Sequence, residues 1–293
     1  MRGTMSGRAV RPAYLADTWY PGGRQELSDA VDGYISEAPR HALPGSVVAL
    51  VAPHAGYYYS GRTAGHAYAQ VRGAAYGTVV LIGPAHRVTV GAYGIPAYDR
   101  LSTPLGQIQV DQELVEKLRQ MLDVSMVSND EEENSLEVQL PFLQRSLGAF
   151  TLLPIMMGFS LSPYSAAQGW PLCQRLGETL AEILARREDV LLVASTDLSH
   201  LPRYDDVVRY DKVFATLLAA FDARRLAAAL AAEECHACGG AAVVAALAAA
   251  QARGADAATV VHYATSADVT GERVGRPYIV GYAGAVMTRS AQS

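Results

Sequence analysis

The chain has 293 residues, of which 50% are hydrophobic and 18% charged, with a formal net charge of −5 and three cysteines. These figures exclude an intrinsically disordered chain, which has fewer apolar residues, and a small disulfide scaffold, which has many cysteines in a short chain. The acidic balance gives no reason to expect nucleic acid or an anionic membrane as a partner.

Short apolar, β-branched runs alternate along the chain with longer stretches of helical periodicity. The predicted strands are Ser46–Ala52, Thr78–Ile82, Val88–Ile95, Phe150–Met156, Val190–Ala194, Thr259–Tyr263 and Tyr278–Met287. The predicted helices are Gly23–Glu37, Gly61–Val71, Asp111–Leu122, Glu133–Leu147, Tyr164–Arg187, Tyr204–Leu218 and Gly239–Ala252. Continuous apolar strands that alternate with helices are typical of a parallel sheet covered on both faces. We therefore expect an α/β fold with a largely parallel, mixed central sheet flanked by helices.

No repeat, linker or composition change divides the chain, so we expect a single domain over 11–288 between flexible termini at 1–10 and 289–293. The longest apolar run, Ala241–Ala250, has ten residues, whereas about 20 are needed to span a bilayer. The first eight residues are polar and do not resemble a signal peptide. Together with the scattered cysteines, these features predict a cytoplasmic protein that is not inserted in a membrane.

Polar groups follow three of the predicted strands at the point where each strand ends. His54 follows the first strand, His86 the second, and Asp197 and His200 the fifth. Because the carboxyl ends of parallel strands meet at one edge of a sheet, we expect these groups to lie together. A single histidine in such a place is usually a hydrogen-bonded structural residue, but the coincidence of several favours a functional site. The structural interpretation is kept for His41, His66 and His262.

Cys238 is a candidate metal ligand because it stands just before Gly239-Gly240 and a predicted helix. The helix dipole at that end favours the thiolate, which is the form that binds metals. The alternative is an inert, buried cysteine, the interpretation we give to Cys173. With Cys235, Cys238 forms a lone C-x-x-C pair, which is weak evidence for structural zinc or a redox dithiol.

Two other residues have open interpretations. Glu137 lies among apolar residues, and is either a buried carboxylate near the site or a residue on the polar face of its helix. Trp19 precedes the first predicted helix, and either lines a pocket or fills the core.

Several motifs in one order resemble the Memo family, whose bacterial members are called AmmeMemoRadiSam system protein B. The motifs are Asp17-Thr-Trp-Tyr-Pro21, Ala52-Pro-His-Ala-Gly-Tyr57, Ile82-Gly-Pro-Ala-His86, Ser195-Thr-Asp-Leu-Ser-His200, Cys238-Gly239 and Ser266-Ala-Asp-Val-Thr-Gly271. The family is similar in fold to the class III extradiol (LigB-like) dioxygenases, which hold a non-haem Fe(II) at the carboxyl edge of the sheet. The resemblance implies that fold here.

The resemblance also implies a set of site residues. His54, His86 and Cys238 would bind the metal, while Asp197 and His200 would be nearby acid/base groups or groups that support the ligands. Substrate contacts are implied for Trp19, Tyr57, Asn134 and Glu137. Fe(II) is the expected metal, copper is the alternative, and zinc is less expected because no separate glutamate is placed as a general base.

Three departures from the family pattern accompany the resemblance. Asn134 replaces the histidine that usually precedes Ser-Leu-Glu, and asparagine can form hydrogen bonds but cannot act as a general base. Cys238 is followed by Gly239-Gly240-Ala-Ala instead of Gly-x-x-Pro, and Ala267 replaces a glycine.

Two functions are compatible with these residues. The first is a mononuclear redox enzyme that oxidises a small organic substrate with O2. The second is a non-catalytic module that binds a metal or a peptide in the same cleft, as described for animal members of the family. The Ala-rich stretch before Thr259 offers a candidate surface for a second subunit, which would make the protein a homo-oligomer.

Overall fold

The computed structural model of the protein describes residues 10–273 and 277–291. The predicted flexible N-terminus, 1–10, lies outside these residues except for residue 10, and so do 292 and 293. The described residues form a mixed β-sheet with a layer of helices on each face. The predicted α/β fold class is confirmed.

The helices and strands alternate along most of the chain. The helices are α1 (Arg24–Glu37), α2 (Tyr57–Ala69), α3 (Gln112–Met121), α4 (Leu140–Ser146), α5 (Ala166–Ile183), α6 (Tyr204–Ala219), α7 (Ala223–Ala231), α8 (Gly240–Ala252) and α9 (Ser266–Thr270). The strands are β1 (Gly45–Ala52), β2 (Thr78–Pro84), β3 (Tyr93–Pro96), β4 (Arg100–Thr103), β5 (Gly106–Val110), β6 (Val124–Val127), β7 (Thr151–Met157), β8 (Val190–Ser195), β9 (His200–Leu201), β10 (Ala257–Thr265) and β11 (Ile279–Ser290).

The centre of the sheet is parallel and its margins are antiparallel. The main strand order is β10-β11-β1-β8-β2-β7-β3-β6. Strands β1, β8, β2 and β7 run parallel, with Ala52 beside Ser195 and Ile82 beside Ala194. Strand β11 is antiparallel to both β1 and β10. Since β1, β8 and β2 run in the same direction, the loops after them leave one edge of the sheet together.

Two helix layers cover the apolar strands. Helices α1, α2 and α4 pack together, and α2 lies on β1, β10 and β11. Leu27, Val31 and Ile35 are buried at a spacing of four residues along α1, as an amphipathic helix requires. Close packing of α1 on α2 requires Gly65, where a Cβ would lie 2.4 Å from the carbonyl oxygen of Tyr34. On the other face, α8 packs on β1, β2, β7 and β8.

Helix α8 does not offer the subunit surface suggested by its Ala-rich sequence. Ten of its residues are buried, because α8 lies between the sheet and helices α5 and α7. An alanine-rich helix can approach its neighbours closely on every side, which explains the composition without a second subunit. None of the helices in the described residues is long and apolar enough to cross a membrane.

Two predicted boundaries were wrong. The predicted strand Val88–Ile95 is reduced to β3, because 86–92 form an irregular loop after β2. The C-terminal strand continues past 288, since Ser290 pairs with Gly45 of β1. Residues 289 and 290 therefore belong to the sheet and not to a flexible terminus.

Candidate metal centre

Three ligand atoms from distant parts of the chain converge at the carboxyl edge of the sheet. They belong to His54, His86 and Cys238, and all lie within 4.8 Å of one another. His54 Nε2 is 3.3 Å from His86 Nε2 and 3.2 Å from Cys238 Sγ. The structure therefore brings together the three residues that the resemblance implies as metal ligands.

Hydrogen bonds behind His54 select its tautomer. Ser195 Oγ donates to the carbonyl of Ser135 at 2.6 Å and accepts a hydrogen bond from Gln139 Nε2 at 2.9 Å. Because the single hydroxyl proton is used, His54 Nδ1 is the donor in its 3.0 Å contact with Ser195 Oγ. The lone pair of His54 Nε2 then faces the other two ligands. Burial, and to a lesser extent His86, lowers the pKa of His54 to about 3, so the ring is a neutral ligand at neutral pH.

The carboxylate of Asp197 holds the turn that carries His54. Asp197 Oδ1 accepts hydrogen bonds from the backbone N–H groups of His54 at 2.8 Å and Ala55 at 3.3 Å. Burial raises the pKa of Asp197 to about 6, although both N–H donors oppose the shift. The geometry gives Asp197 a positioning role, and its proton-transfer role stays a prediction.

Glu133 holds the turn of the second histidine in the same way. Glu133 Oε2 accepts hydrogen bonds from the backbone N–H groups of His86 at 2.6 Å and Arg87 at 2.9 Å. Its other carboxylate oxygen accepts one from Ser135 N at 3.1 Å. This role of Glu133 is not predictable from the sequence, because an acidic run before a helix predicts only favourable charges at a helix N-terminus. Burial separates Glu133, which is 2% exposed, from the exposed acids before it.

Cys238 lies just before α8 and is fixed by backbone contacts with Asp197. Cys238 N donates to Asp197 O at 3.1 Å, and Asp197 N donates to Cys238 Sγ at 3.3 Å. The next residue must be a glycine, since a Cβ on Gly239 would lie 2.2 Å from Ser195 O. Burial and the charge of Asp197 raise the pKa of the Cys238 thiol, so metal binding there displaces a proton.

His200 faces the same edge and is exposed. Its Nδ1 lies 3.0 Å from the carbonyl oxygen of Leu198. A carbonyl can only accept a hydrogen bond, so Nδ1 carries the proton of the neutral ring. Nε2 of the same ring is then able to accept a hydrogen bond. His200 Nε2 is therefore a hydrogen-bond acceptor, and the proton-transfer role of this residue stays a prediction.

A cavity of about 680 Å³ opens over the three ligands. Trp19 and Asn134, two of the residues with implied substrate contacts, line it together with Asp197 and His200. The remaining lining residues are Thr18, His54, Ala55, Gly56, Tyr59, His86, Arg87, Cys238, Ser266, Tyr278, Val280 and Tyr282.

Tyr57 and Glu137 do not line this cavity, so their predicted substrate contacts are corrected. Tyr57 is buried, and its hydroxyl donates to the carbonyl of Val138 at 2.8 Å. Glu137 is 1% exposed, forms an ion pair with Arg11 and accepts hydrogen bonds from Tyr20 Oη and Leu15 N. Both side chains lie in the protein interior behind the site, where their hydrogen bonds and the ion pair of Glu137 hold them.

The donor set suits a transition metal. Two neutral imidazoles and a thiolate bind iron, copper and zinc, whereas Mg²⁺ and Ca²⁺ prefer oxygen ligands. The second nitrogen of His54 donates to a fixed acceptor, Ser195, as is usual for metal-binding histidines. The residues present therefore fit a metal ion.

Comparison with known proteins agrees with the resemblance found in the motifs. A family model described as Memo-like protein matches residues 11–286. The chain belongs to the Memo family. A MEMO1 family protein of Archaeoglobus fulgidus is 32% identical over 284 residues, covering 94% of this chain and 99% of that protein. A MEMO1 family protein of Aquifex aeolicus is 32% identical, covering 90% and 94% of the two chains.

The chain is also similar to an animal protein and to a solved structure. Protein MEMO1 of Xenopus laevis is 32% identical to this Memo family chain, and the match covers 71% of this chain and 69% of the Xenopus protein. A crystal structure of an uncharacterized Escherichia coli K12 protein covers 81% of this chain and 99% of its own, with 16% identity and a TM-score of 0.40. That similarity is too low to carry an argument.

Asn134 occupies a position beside the ligands of this Memo protein. Its side-chain Nδ2 donates to the carbonyl of His54 at 3.2 Å. It thus contributes a hydrogen bond to the ligand-bearing turn, where an imidazole would contribute a titratable group.

The remaining histidine and cysteine candidates lie elsewhere. His66 and His262 stack with ring centroids 3.9 Å apart, which agrees with their structural interpretation. Cys173 and Cys235 are free and buried, and Cys235 does not join the metal-binding group.

Proposed function

We propose that this Memo family protein is a mononuclear non-haem metal enzyme that oxidises a small organic substrate with O2. Fe(II) is the proposed metal and copper is the alternative. The observation that supports this function best is the cluster of His54, His86 and Cys238 in the wall of an open cavity. Within the described residues this group has three ligands, which leaves coordination positions on the cavity side.

The donor set argues for a redox metal. Bound there, Fe(II) would offer open positions at which O2 and a substrate are activated together. The thiolate of Cys238 is a softer and more electron-donating ligand than a carboxylate, which also makes the site suitable for Cu(I). A zinc hydrolase is less well supported, because no glutamate stands among the described residues that line the cavity.

The protein residues around the cavity supply proton transfer and positioning. His200 Nε2 is able to accept a proton from a substrate hydroxyl, because Nδ1 already donates to Leu198. Asp197 and Glu133 fix the backbone of the two histidine turns, so the ligands need little rearrangement when a metal binds. The cavity volume of about 680 Å³ lies within the usual range for sites of small molecules.

Metal analysis after anaerobic purification tests the proposal. The wild type should hold about one equivalent of iron, and His54→Ala and Cys238→Ser should lose it. His41→Ala is the control, because His41 is exposed and lies outside the cluster. The iron-loaded protein should then consume O2 in the presence of catechol or another small phenol.

Two outcomes would overturn the proposal. If wild type and His54→Ala bind iron and copper equally poorly, there is no metal site. If iron binds but no panel of small phenols and other polar organic compounds causes O2 consumption, the cleft serves a non-catalytic binding module. In that second case, a peptide affinity that is unchanged after metal removal identifies the module.

A further inference from the structure

Arg87 is a cationic residue of the metal cavity without an ion pair to the described residues. It follows the ligand His86 directly and lines the same cavity. Its side chain is exposed, and its guanidinium forms no ion pair with the residues that the structure describes. Other arginines at structural positions, such as Arg11 and Arg187, have a carboxylate within 2.7 Å.

The backbone of Arg87 is as firmly held as that of the ligand beside it. Arg87 N donates to Glu133 Oε2 at 2.9 Å, and the same oxygen accepts from His86 N. Glu133 is buried, so the root of the arginine side chain is fixed relative to the metal ligands. A guanidinium anchored in this way is suited to recognition, because less conformational freedom is lost when it binds.

The two buried acidic residues that hold the histidine turns, Glu133 and Asp197, bind backbone N–H groups. Glu133 uses both oxygens for backbone N–H groups, and Asp197 Oδ1 accepts from His54 and Ala55. Asp197 is also the one acidic residue among the described residues that line the cavity. The guanidinium of Arg87 is therefore available to bind an anionic group of a ligand.

The walls of the cavity are aromatic. Trp19, Tyr59 and Tyr278 line it, and Tyr278 is 53% exposed, so its ring is available for contact. Aromatic walls favour a flat ring, which they contact over a large area at low cost in conformational entropy. The cavity thus combines a metal cluster, one unpaired guanidinium and flat apolar walls.

We infer that the substrate of this site is a small aromatic carboxylate, whose carboxylate binds Arg87 while its ring lies between the aromatic walls and reaches the metal cluster. The inference rests on the proposed metal function. A carboxylate is favoured over a phosphate because one guanidinium matches the planar shape and the single charge of one carboxylate. A phosphate dianion would leave a second charge without a partner on the described wall.

Binding of matched probes tests the inference. The probes are the three positional isomers of hydroxybenzoate and the corresponding hydroxybenzamides, which keep the ring and hydroxyl but lack the charge. The best benzoate should bind the metal-loaded wild type about 10-fold or more tightly than its benzamide, as expected for a charge-assisted hydrogen bond. Arg87→Gln should reduce that ratio to near one and leave benzamide affinity unchanged, and Arg87→Lys should restore part of it.

Arg224→Gln is the matched control, because Arg224 is exposed on α7 and lies outside the cavity. It removes the same charge and should keep the full benzoate preference. A preference that survives in Arg87→Gln, or a wild type that does not prefer benzoates, overturns the inference.

Metal content measured on the same samples separates this inference from the proposed function. If iron is bound and O2 is consumed with phenols but benzoates are not preferred, the function stands and the inference fails. If benzoates are preferred through Arg87 but no metal is bound, the anion site stands and the metal function fails.

Discussion

The carboxylate of Glu133 accepts the backbone N–H of His86 at 2.6 Å, and with the N–H of Arg87 it closes the turn that presents a metal ligand. Asp197 repeats the arrangement at His54. Each histidine of the cluster is therefore held by a buried carboxylate that contacts its backbone and not its ring. This explains how the short turns, in which Pro53 follows the last residue of β1 and Pro84 is the last residue of β2, keep the two imidazoles in place.

Glu133→Gln should weaken metal binding by about 10-fold or more without unfolding the protein, since loss of groups that orient metal ligands commonly costs about 10–100-fold in affinity. The amide retains one oxygen acceptor but loses the charge that strengthens the hydrogen bonds. Iron affinity measured by competition with a chelator checks this result. Glu132→Gln is the control, because Glu132 is an exposed neighbour in the same acidic run. Equal affinities for the two variants would contradict the role of Glu133.

Ser195→Ala should weaken metal binding and also lower the stability of the fold. The variant leaves His54 Nδ1 and Gln139 Nε2 without their shared partner, and an unsatisfied buried polar group costs about 1–3 kcal/mol. Chemical unfolding of the metal-free protein gives the stability loss, and chelator competition gives the loss in affinity. A variant with unchanged affinity would mean that the tautomer of His54 is fixed without Ser195.

The parallel centre of the fold is predictable because its residues are uniformly apolar. Strands β1, β2 and β8 have continuous buried runs, as is typical of strands covered on both faces. The margins are not predictable in the same way. Strands β4 and β5 are short, and buried and exposed residues alternate along them. Over so few residues this alternation is a weak signal for a strand. They become strands because β4 pairs with β5, and β5 also pairs with β7.

The two histidine ligands and Asp197 were predictable from motifs at strand ends, whereas the supporting role of Glu133 was not. His54 and Cys238 are 184 residues apart. They meet because the parallel strands β1 and β8 end at one edge, where Asp197 after β8 contacts Cys238. Glu137 and Glu133 have the same side chain and lie in one segment. Glu137 forms an ion pair with Arg11, whereas Glu133 accepts a hydrogen bond from the backbone of His86. The local sequence does not encode this difference.

The stacked pair His66 and His262 should make stability depend on pH. Burial, then the neighbouring His66, lowers the pKa of His262 to about 4, compared with about 6.5 in an unfolded chain. Between these values the unfolded state binds more protons, so stability is complete above pH about 6.5 and decreases as pH falls towards 4. Urea unfolding of metal-free protein at several pH values should show a smaller decrease for His262→Gln than for wild type. If the stability of both proteins decreases equally with falling pH, the pKa of His262 is not lowered in the folded protein.

Arg11→Met should destabilise the protein strongly without changing the ligands of the metal centre. Arg11 is 3% exposed and pairs with Asp130 and Glu137, both nearly inaccessible to solvent. Removing one partner of a buried ion pair leaves uncompensated charge and typically costs about 3–5 kcal/mol. The control is Arg145→Met, whose pair with Asp32 is partly exposed and should contribute about 1 kcal/mol or less. Urea unfolding compares the two variants. Similar losses would contradict the structural role assigned to the Arg11 network, and normal stability with weakened ligand binding would return Glu137 to the substrate site.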